Sequence, residues 1–405
     1  MAGRAAGQRA GVTGWELTRT LLFAVLSAVQ VAPAALSWWR ASRYRPRLAR
    51  GPAAAVHLVV PCKGADAHLE RHLEAFAAQR YRPLAITFVT ESERDAAVPL
   101  IAAVAAHHDH VRHVVAGLTR TGSQKIHNLL AAVSAAPAEA EVYAFCDADI
   151  EPPPDLLHHL VGALRRPRVT VATGYRWLAP VSASLAAQVH TVLSAHMAAL
   201  AAWPTSQAVW GGTWAIRRTD WQRLGVAAYW YPRLSDDLSL QALLARHRAA
   251  RVFVPRCVSP TGDAIARFPE LLDWFSRQVF YTRLYTPGAW RTAVIGILGL
   301  GAAFAGAAWE LIAAIGGGGA AAWPVLAAAG LFAAALVSPL LCTAPRERPL
   351  TFSRRRWVAL MPLVALVALW GAVRSLFMRR VTWAGVTYTF NRDGTVRTVE
   401  HQAPG

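Results

Sequence analysis

Charge is scarce in this sequence. Asp, Glu, Lys and Arg make up 16% of its 405 residues, against roughly 25% in soluble domains. With 54% hydrophobic residues, that shortage excludes a disordered chain and points to segments that never meet water. Acidic residues are scarcer than basic ones, 24 against 42, which leaves a net charge of +18. A nucleic-acid binder would gather such an excess on one soluble face. Here Arg40, Arg43, Arg45, Arg47 and Arg50 follow the first apolar run, and Arg354, Arg355 and Arg356 precede the last. That placement fits the positive cytoplasmic flanks of a membrane protein, so nucleic acid is not an expected partner. Cysteine is also sparse. Cys62, Cys146, Cys257 and Cys342 lack the paired spacing of a zinc site and read as packing residues in a reducing compartment.

What is abundant is apolar sequence. The run at residues 20–39 is long enough to cross a bilayer and ends in Trp38 and Trp39. Arg4 and Arg9 before it, and small residues at 32–35, would also suit a cleaved signal. The dense basic flank after the run favours an uncleaved anchor with the following chain in the cytoplasm. Three further runs occupy residues 293–315, 321–342 and 357–377, with "GGGG" at 316–319 and a basic loop at 345–356. Glu310 lies near the end of its run, where it can reach the interface. Three crossings after a cytoplasmic domain would put the tail outside, whereas Arg374, Arg379 and Arg380 favour the cytoplasm. A last run that is re-entrant or interfacial would reconcile the two.

Between these runs the pattern changes. "AVHLVV" (55–60), "LAITFVT" (84–90), "RHVVAG" (112–117), "EVYAFCD" (141–147) and "RVTVATG" (168–174) are strand candidates. "AHLERHLEAFAAQ" and "SQKIHNLLAAVSAA" carry helical spacing between them. The alternation predicts an α/β domain with a mainly parallel sheet. Residues 182–203 are long enough to span, but Gln188, His190 and His196 favour a surface-lying or core-buried helix. Residues 268–290 mix aromatics with arginines, as an interfacial helix does. The expected division is 1–40 anchor, 53–265 catalytic domain, 266–290 interfacial helix, 291–378 transmembrane helices and 379–405 tail.

Two acidic stretches carry the chemistry. The apolar strand "YAFC" stops at Asp147-Ala148-Asp149. Open α/β sheets bind ligands beyond the carboxyl ends of their strands. Two carboxylates there can hold a hard cation such as Mg2+ or Mn2+ that shares substrate phosphates; they could also simply cap a turn. Asp236 and Asp237 precede the helical "LSLQALLARH". They suit a helix N-terminus and equally suit general-base work, in which like-charge repulsion raises proton affinity.

In order, "VVPCKGADAHLERHLEAFAAQRY", "FVTESERDAA", "GLTRTGSQKIHNLLAAV", "FCDADI", "GGTWAIRRTDWQRLG" and "LSDDLSL" resemble the motifs of glycosyltransferase family 2, most closely its ceramide-glucosyltransferase-like branch. The resemblance covers about residues 55–285. It implies a nucleotide-diphospho-sugar transferase (GT-A type) domain. It places Pro61, Lys63 and Glu91 at the nucleotide, Lys125 and Asp147 at the diphosphate, Asp147 and Asp149 on the metal, and Asp237 as the base beside Asp236. Many relatives carry Q/R-x-x-R-W after the base. Arg277 and Gln278 stand at its start, but Phe280 and Tyr281 replace the Arg-Trp, with Arg283 near enough to supply charge. Residues 379–394 alternate like a strand pair turning at Asn391-Arg392-Asp393-Gly394, resembling a tail motif of lipid-directed members.

The expected function is inverting transfer from a UDP-sugar to a membrane lipid hydroxyl by a multi-pass inner-membrane enzyme with its catalytic domain in the cytoplasm. A processive polysaccharide synthase is the alternative, disfavoured by Phe280 and the small number of spans. A transporter would need polar groups at mid-membrane, and a non-enzymatic scaffold would not need the aspartates.

Overall fold

The computed structural model describes residues 13–43, 53–179, 182–203, 208–262, 265–316, 322–342 and 351–401. Arg4, Arg9, Arg45, Arg47, Arg50, the "GGGG" turn after Gly316 and the loop up to residue 350 lie outside them. The chain opens with α1 (Gly14–Arg43) and then alternates: β1 (Val56–Pro61), α2 (Leu69–Ala77), β2 (Leu84–Thr90), α3 (Val98–Ala105), β3 (Val111–Val115), α4 (Gln124–Ser134) and β4 (Val142–Cys146). Next come α5 (Leu156–Leu164), β5 (Val169–Leu178), α6 (Leu185–Ala201), β6 (Thr213–Arg217), α7 (Arg218–Leu224) and α8 (Val226–Trp230). These lead to α9 (Asp236–Arg246), β7 (Ala250–Thr261) and α10 (Phe268–Tyr285). The last helices are α11 (Pro287–Ile315), α12 (Ala322–Cys342), α13 (Arg354–Ala359) and α14 (Met361–Phe377), followed by β8 (Arg380–Trp383), β9 (Val386–Phe390) and β10 (Val396–His401).

Seven strands form one sheet in the order β3-β2-β1-β4-β6-β5-β7. All five expected strands are in it. β1, β2 and β4 read as nearly continuous apolar runs because both faces are covered. On one face Leu58 and Val60 pack under Leu73, Phe76, Ile101 and Leu160 from α2, α3 and α5. On the other, Val59 and Phe145 pack under Leu129, Trp221, Trp230 and Leu240 from α4 and α7–α9. β6 pairs antiparallel with β4 and β5, while the other neighbours pair parallel. The strand order reverses at β1–β4, which opens a crevice at their carboxyl ends. Pro61 is the last residue of β1 rather than part of the following loop.

α1 (over 14–40) and α11 are long and apolar enough to cross a membrane. The run at 357–377 does not form one such helix: it divides at Leu360 into α13 and the 17-residue α14. α14 instead lies along α10 and α6, where Val364 and Val367 meet Leu271, Phe275 and Val189. α6 is core-buried, with Gln188 and His190 inside. Glu310 is buried and ion-paired with Arg19 of α1.

The tail forms three antiparallel strands, β10-β9-β8, one more than the expected pair. Ala384 and Gly385 make the first turn, with φ of 49° and 77°. Asn391–Gly394 makes the second, as expected. The sheet docks on the α/β domain: Val396 N–H donates to Pro232 O (2.7 Å), and the His401 ring meets Thr119 O (2.9 Å).

Candidate active site

Asp147 leaves the end of β4 and its N–H donates to Gly212 O (3.1 Å), so the β4–β6 pairing fixes where the carboxylate points. Lys125 sits in the first turn of α4. The loop before it is pinned from the other side: Ser123 N–H donates to Arg233 O (3.0 Å). Gly122, at φ 70°, lies so close to Tyr231 that a Cβ would fall 2.2 Å from its carbonyl oxygen. That clamp carries Lys125 to two carboxylates at once, Asp147 Oδ1 (2.7 Å) and Asp236 Oδ2 (3.3 Å).

Ser235 caps α9 by accepting from Leu238 N–H, and Asp236 and Asp237 open the helix. Buried Trp230 donates from Nε1 to Asp236 O (3.0 Å), so the packed Phe145–Trp214–Trp221–Trp230 cluster sets the helix start. Asp237 Oδ1 accepts from the Ser235 hydroxyl and from Leu238 N–H (2.7 Å), and its Oδ2 accepts from Gly211 N–H (3.2 Å). A Cβ on Gly211 would sit 2.7 Å from Asp236 Oδ2, so a side chain there would push the Asp236 carboxylate aside.

Burial disfavours charge on both Lys125 and Asp236. For Lys125 the surrounding Asp147, Asp236 and Asp237 outweigh burial, and its pKa lies above the usual lysine value. For Asp236, burial outweighs the Lys125 ammonium and, with Asp237 and Asp147 beside it, raises the carboxyl to about 6. Lys125 therefore stays charged, and Asp236 takes up a proton more readily than an ordinary carboxylate.

These groups border a cavity of about 500 Å³. Lys125, Asp147, Asp149, Asp236 and Asp237 line it from the sheet side, and Arg277, Gln278 and Tyr281 from α10. Seven of the expected site residues thus meet in one place. Pro61, Lys63 and Glu91 stand apart at the ends of β1 and β2, outside the cavity lining. There Lys63 Nζ pairs with Glu91 (2.9 Å) and donates to Ala384 O in the tail (3.0 Å). Phe280 turns away from the cavity and packs on Phe390 of the tail, ring centroids 5.5 Å apart, whereas Tyr281 faces inward. Arg283 does not replace the missing charge: it donates to Leu376 O (2.7 Å) and Met378 O (2.6 Å), capping the end of α14.

The family model described as "Glycosyl transferase family 21" matches residues 20–396. The chain belongs to glycosyl transferase family 21. The motif order had pointed to family 2 and its ceramide-glucosyltransferase-like branch; that glycosyltransferase assignment stands, and the family shown is family 21. The α/β domain of this family 21 glycosyltransferase has the mainly parallel sheet that the resemblance implied. Among solved structures it is similar to the mannosyltransferase PcManGT from Pyrobaculum calidifontis, in complex with GDP-Man and Mn2+: 18% identity, 89% of this chain and 99% of that one, TM-score 0.49. It is also similar to glucosyl-3-phosphoglycerate synthase from Mycobacterium tuberculosis, in complex with phosphoglyceric acid: 16% identity, 57% and 79% of the chains, TM-score 0.37. No curated protein matches it.

The site of this glycosyltransferase includes residues that the motifs did not indicate. Arg176, on the stretch of β5 beyond residue 174, lines the cavity 3.9 Å from Asp149 and lies over the Trp274 ring at 5.4 Å. A lone arginine at the carboxyl end of an apolar strand was its only signal. Met197, Leu200, Trp210 and Trp274 give the cavity an apolar wall on the α6 and α10 side. As for a metal, no group of three or more His, Cys, Asp or Glu converges among the described residues. Asp147 and Asp149 nevertheless fit an ion of the Mg2+ or Mn2+ type: both carboxylates face one cavity, and such ions complete their shell with phosphate oxygens and water.

Proposed function

We propose that this family 21 glycosyltransferase moves a sugar, with inversion, from a UDP-sugar to a hydroxyl of a membrane lipid of the ceramide or glycolipid type. The observation that carries the reading is the convergence of Lys125, Asp147, Asp149, Asp236, Asp237, Arg277 and Gln278 on one cavity with one apolar wall. The nucleotide lies toward Pro61, Lys63 and Glu91. Its diphosphate meets Lys125, Arg277 and Gln278 near the N-terminus of α4, whose positive dipole end favours anions. Asp147 and Asp149 would hold Mg2+ or Mn2+, which when bound would neutralise charge on the leaving diphosphate.

Asp237 accepts the proton of the acceptor hydroxyl. The freed oxygen bonds to the anomeric carbon as that carbon's bond to the diphosphate oxygen breaks, and the nucleoside diphosphate leaves. Ser235, Leu238 N–H and Gly211 N–H keep the Asp237 carboxylate fixed through the step. Asp236 holds Lys125 in place between the two aspartate pairs. The apolar wall of Met197, Leu200, Trp210 and Trp274 receives the lipid.

The membrane reading places the catalytic domain at the cytoplasmic face of the inner membrane. α1 and α11 cross, α12 crosses back, and α14 runs along α10 without crossing, which keeps the tail sheet beside the domain it docks on. Washed membranes incubated with a panel of UDP-sugars and extracted lipids, with and without Mg2+ or Mn2+, should yield one glycolipid by mass analysis. A long polymer product would overturn the acceptor assignment, and full turnover in chelator would overturn the metal assignment.

A further inference from the structure

Lys63 and Arg277 come from distant parts of the sequence, yet both end on the same hairpin. Lys63 Nζ donates to Ala384 O (3.0 Å) and Arg277 Nη1 donates to Thr382 O (3.1 Å). Trp383, the residue between these two carbonyls, is half-buried and lines the cavity with Asp147 and Asp237. The β8–β9 hairpin therefore bridges the ends of β1 and β2 and the centre of the cavity, two regions that the α/β domain itself leaves apart.

The hairpin is also built to hold that position. Ala384 adopts φ 49°, a left-handed conformation that residues with a Cβ avoid, and Gly385 follows at 77°. Positive φ at both central residues gives the tight two-residue turn whose twist matches a hairpin. Such strain persists only where surrounding contacts fix it, and here they are many. Val381, Val386 and Tyr388 pack with Phe280, Tyr281 and Tyr285 of α10. The Tyr285 hydroxyl accepts from Leu234 N–H (2.8 Å) and donates to Gly394 O (3.0 Å), tying the tail to the start of α9. Gln124 N–H reaches the Tyr388 hydroxyl (3.4 Å) beside Lys125.

We propose that the β8–β9 hairpin completes the donor site, with Trp383 as a positioning residue for the nucleoside diphosphate and the Thr382 and Ala384 carbonyls aiming Arg277 and Lys63 at it. The indole supplies a flat, rigid wall between two cations whose own directions the hairpin sets. The proposal rests on the glycosyltransferase reading above.

The test uses the full-length protein in detergent and reads two quantities: the Kd for UDP with Mn2+, and the donor KM and kcat in membranes. Trp383→Ala should weaken UDP binding and raise the donor KM about tenfold or more, with kcat changed by less than threefold. Trp383→Phe should recover most of both, and Trp383→Leu should not. The melting temperature of each variant separates this from a general loss of fold, since the Phe and Leu variants should melt together. Unchanged UDP binding and KM in Trp383→Ala, beside an active wild type, would overturn the positioning role. A Leu variant as good as the Phe variant would overturn the flat-wall argument. A wild type that neither binds a nucleoside diphosphate nor transfers sugar would remove the underlying reading and the proposal with it.

Discussion

Asp237 accepts two backbone N–H groups and one hydroxyl on its two oxygens. Asp237→Asn keeps the Oδ1 acceptor for Ser235 and Leu238, turns an NH2 toward Gly211 N–H, and removes the basic site. We expect the fold to survive and kcat to fall by on the order of 10²- to 10⁴-fold, the usual contribution of a positioned base; full activity in this variant would rule the base out. Its neighbour predicts a pH effect. Asp236 titrates near pH 6 in the fold, above its usual 3.8. The folded state therefore disfavours its ionisation. No penalty exists below the unfolded value, where both states are protonated, and the full penalty applies above about pH 6. Stability from this group falls as pH rises through that window. Activity should move the other way, because protonated Asp236 no longer pairs with Lys125 and leaves it drawn to Asp147 alone. We expect kcat/KM to drop below about pH 6, and Asp236→Asn, though weaker throughout, to lose that acid limb. Much at this scale was legible. Lys63 and Lys125 are the only lysines in the sequence, and both were found through their motifs. Arg176 and Trp383 were not, because an isolated residue in an apolar run carries no spacing that separates a cavity wall from core.

Among the elements, legibility followed apolar continuity. β1, β2 and β4 are buried on both faces and announce themselves as unbroken runs. β6 has five residues and was read only within the "GGTWAIRRTDWQRLG" motif, yet Gly212, just before it, receives the Asp147 N–H. β7 contains Pro255 and Pro260 at the sheet edge, where a strand tolerates them and a sequence pattern hides it. The packing of α10 on α14 was not readable, since each helix alone looks interfacial or spanning. That contact turns on Gly371, where a Cβ would fall 2.4 Å from the Phe275 ring. Gly371→Leu should force the helices apart and cost about 1–3 kcal/mol, as overpacking does. It should lower the apparent melting temperature in detergent and, because α10 carries Arg277 and Gln278, raise the donor KM. A variant with wild-type melting would show that the two helices can separate freely.

At the scale of the whole molecule, the two long apolar helices α1 and α11 are joined by a buried ion pair that hydropathy does not reveal. The apolar runs themselves were plain; that Glu310 would meet Arg19 was not, because the partners lie 291 positions apart. Glu310 is buried on α11 and Arg19 is partly covered on α1, so the pair locks the N-terminal helix to the one that follows α10. Removing one partner leaves the other charge uncompensated in an apolar setting. Such a loss costs roughly 3–5 kcal/mol for fully buried pairs, and the lower end applies because the Arg19 side chain is 28% exposed. Arg19→Leu and Glu310→Leu should each lower the melting temperature in detergent, while the double variant, which leaves no orphaned charge, should recover most of the loss. Because α1 also packs against the α6 side of the cavity through Ala34, the single variants should weaken use of the lipid acceptor more than binding of UDP. Losses that simply add in the double variant would mean that the two residues act separately and that α1 is held by its apolar contacts alone.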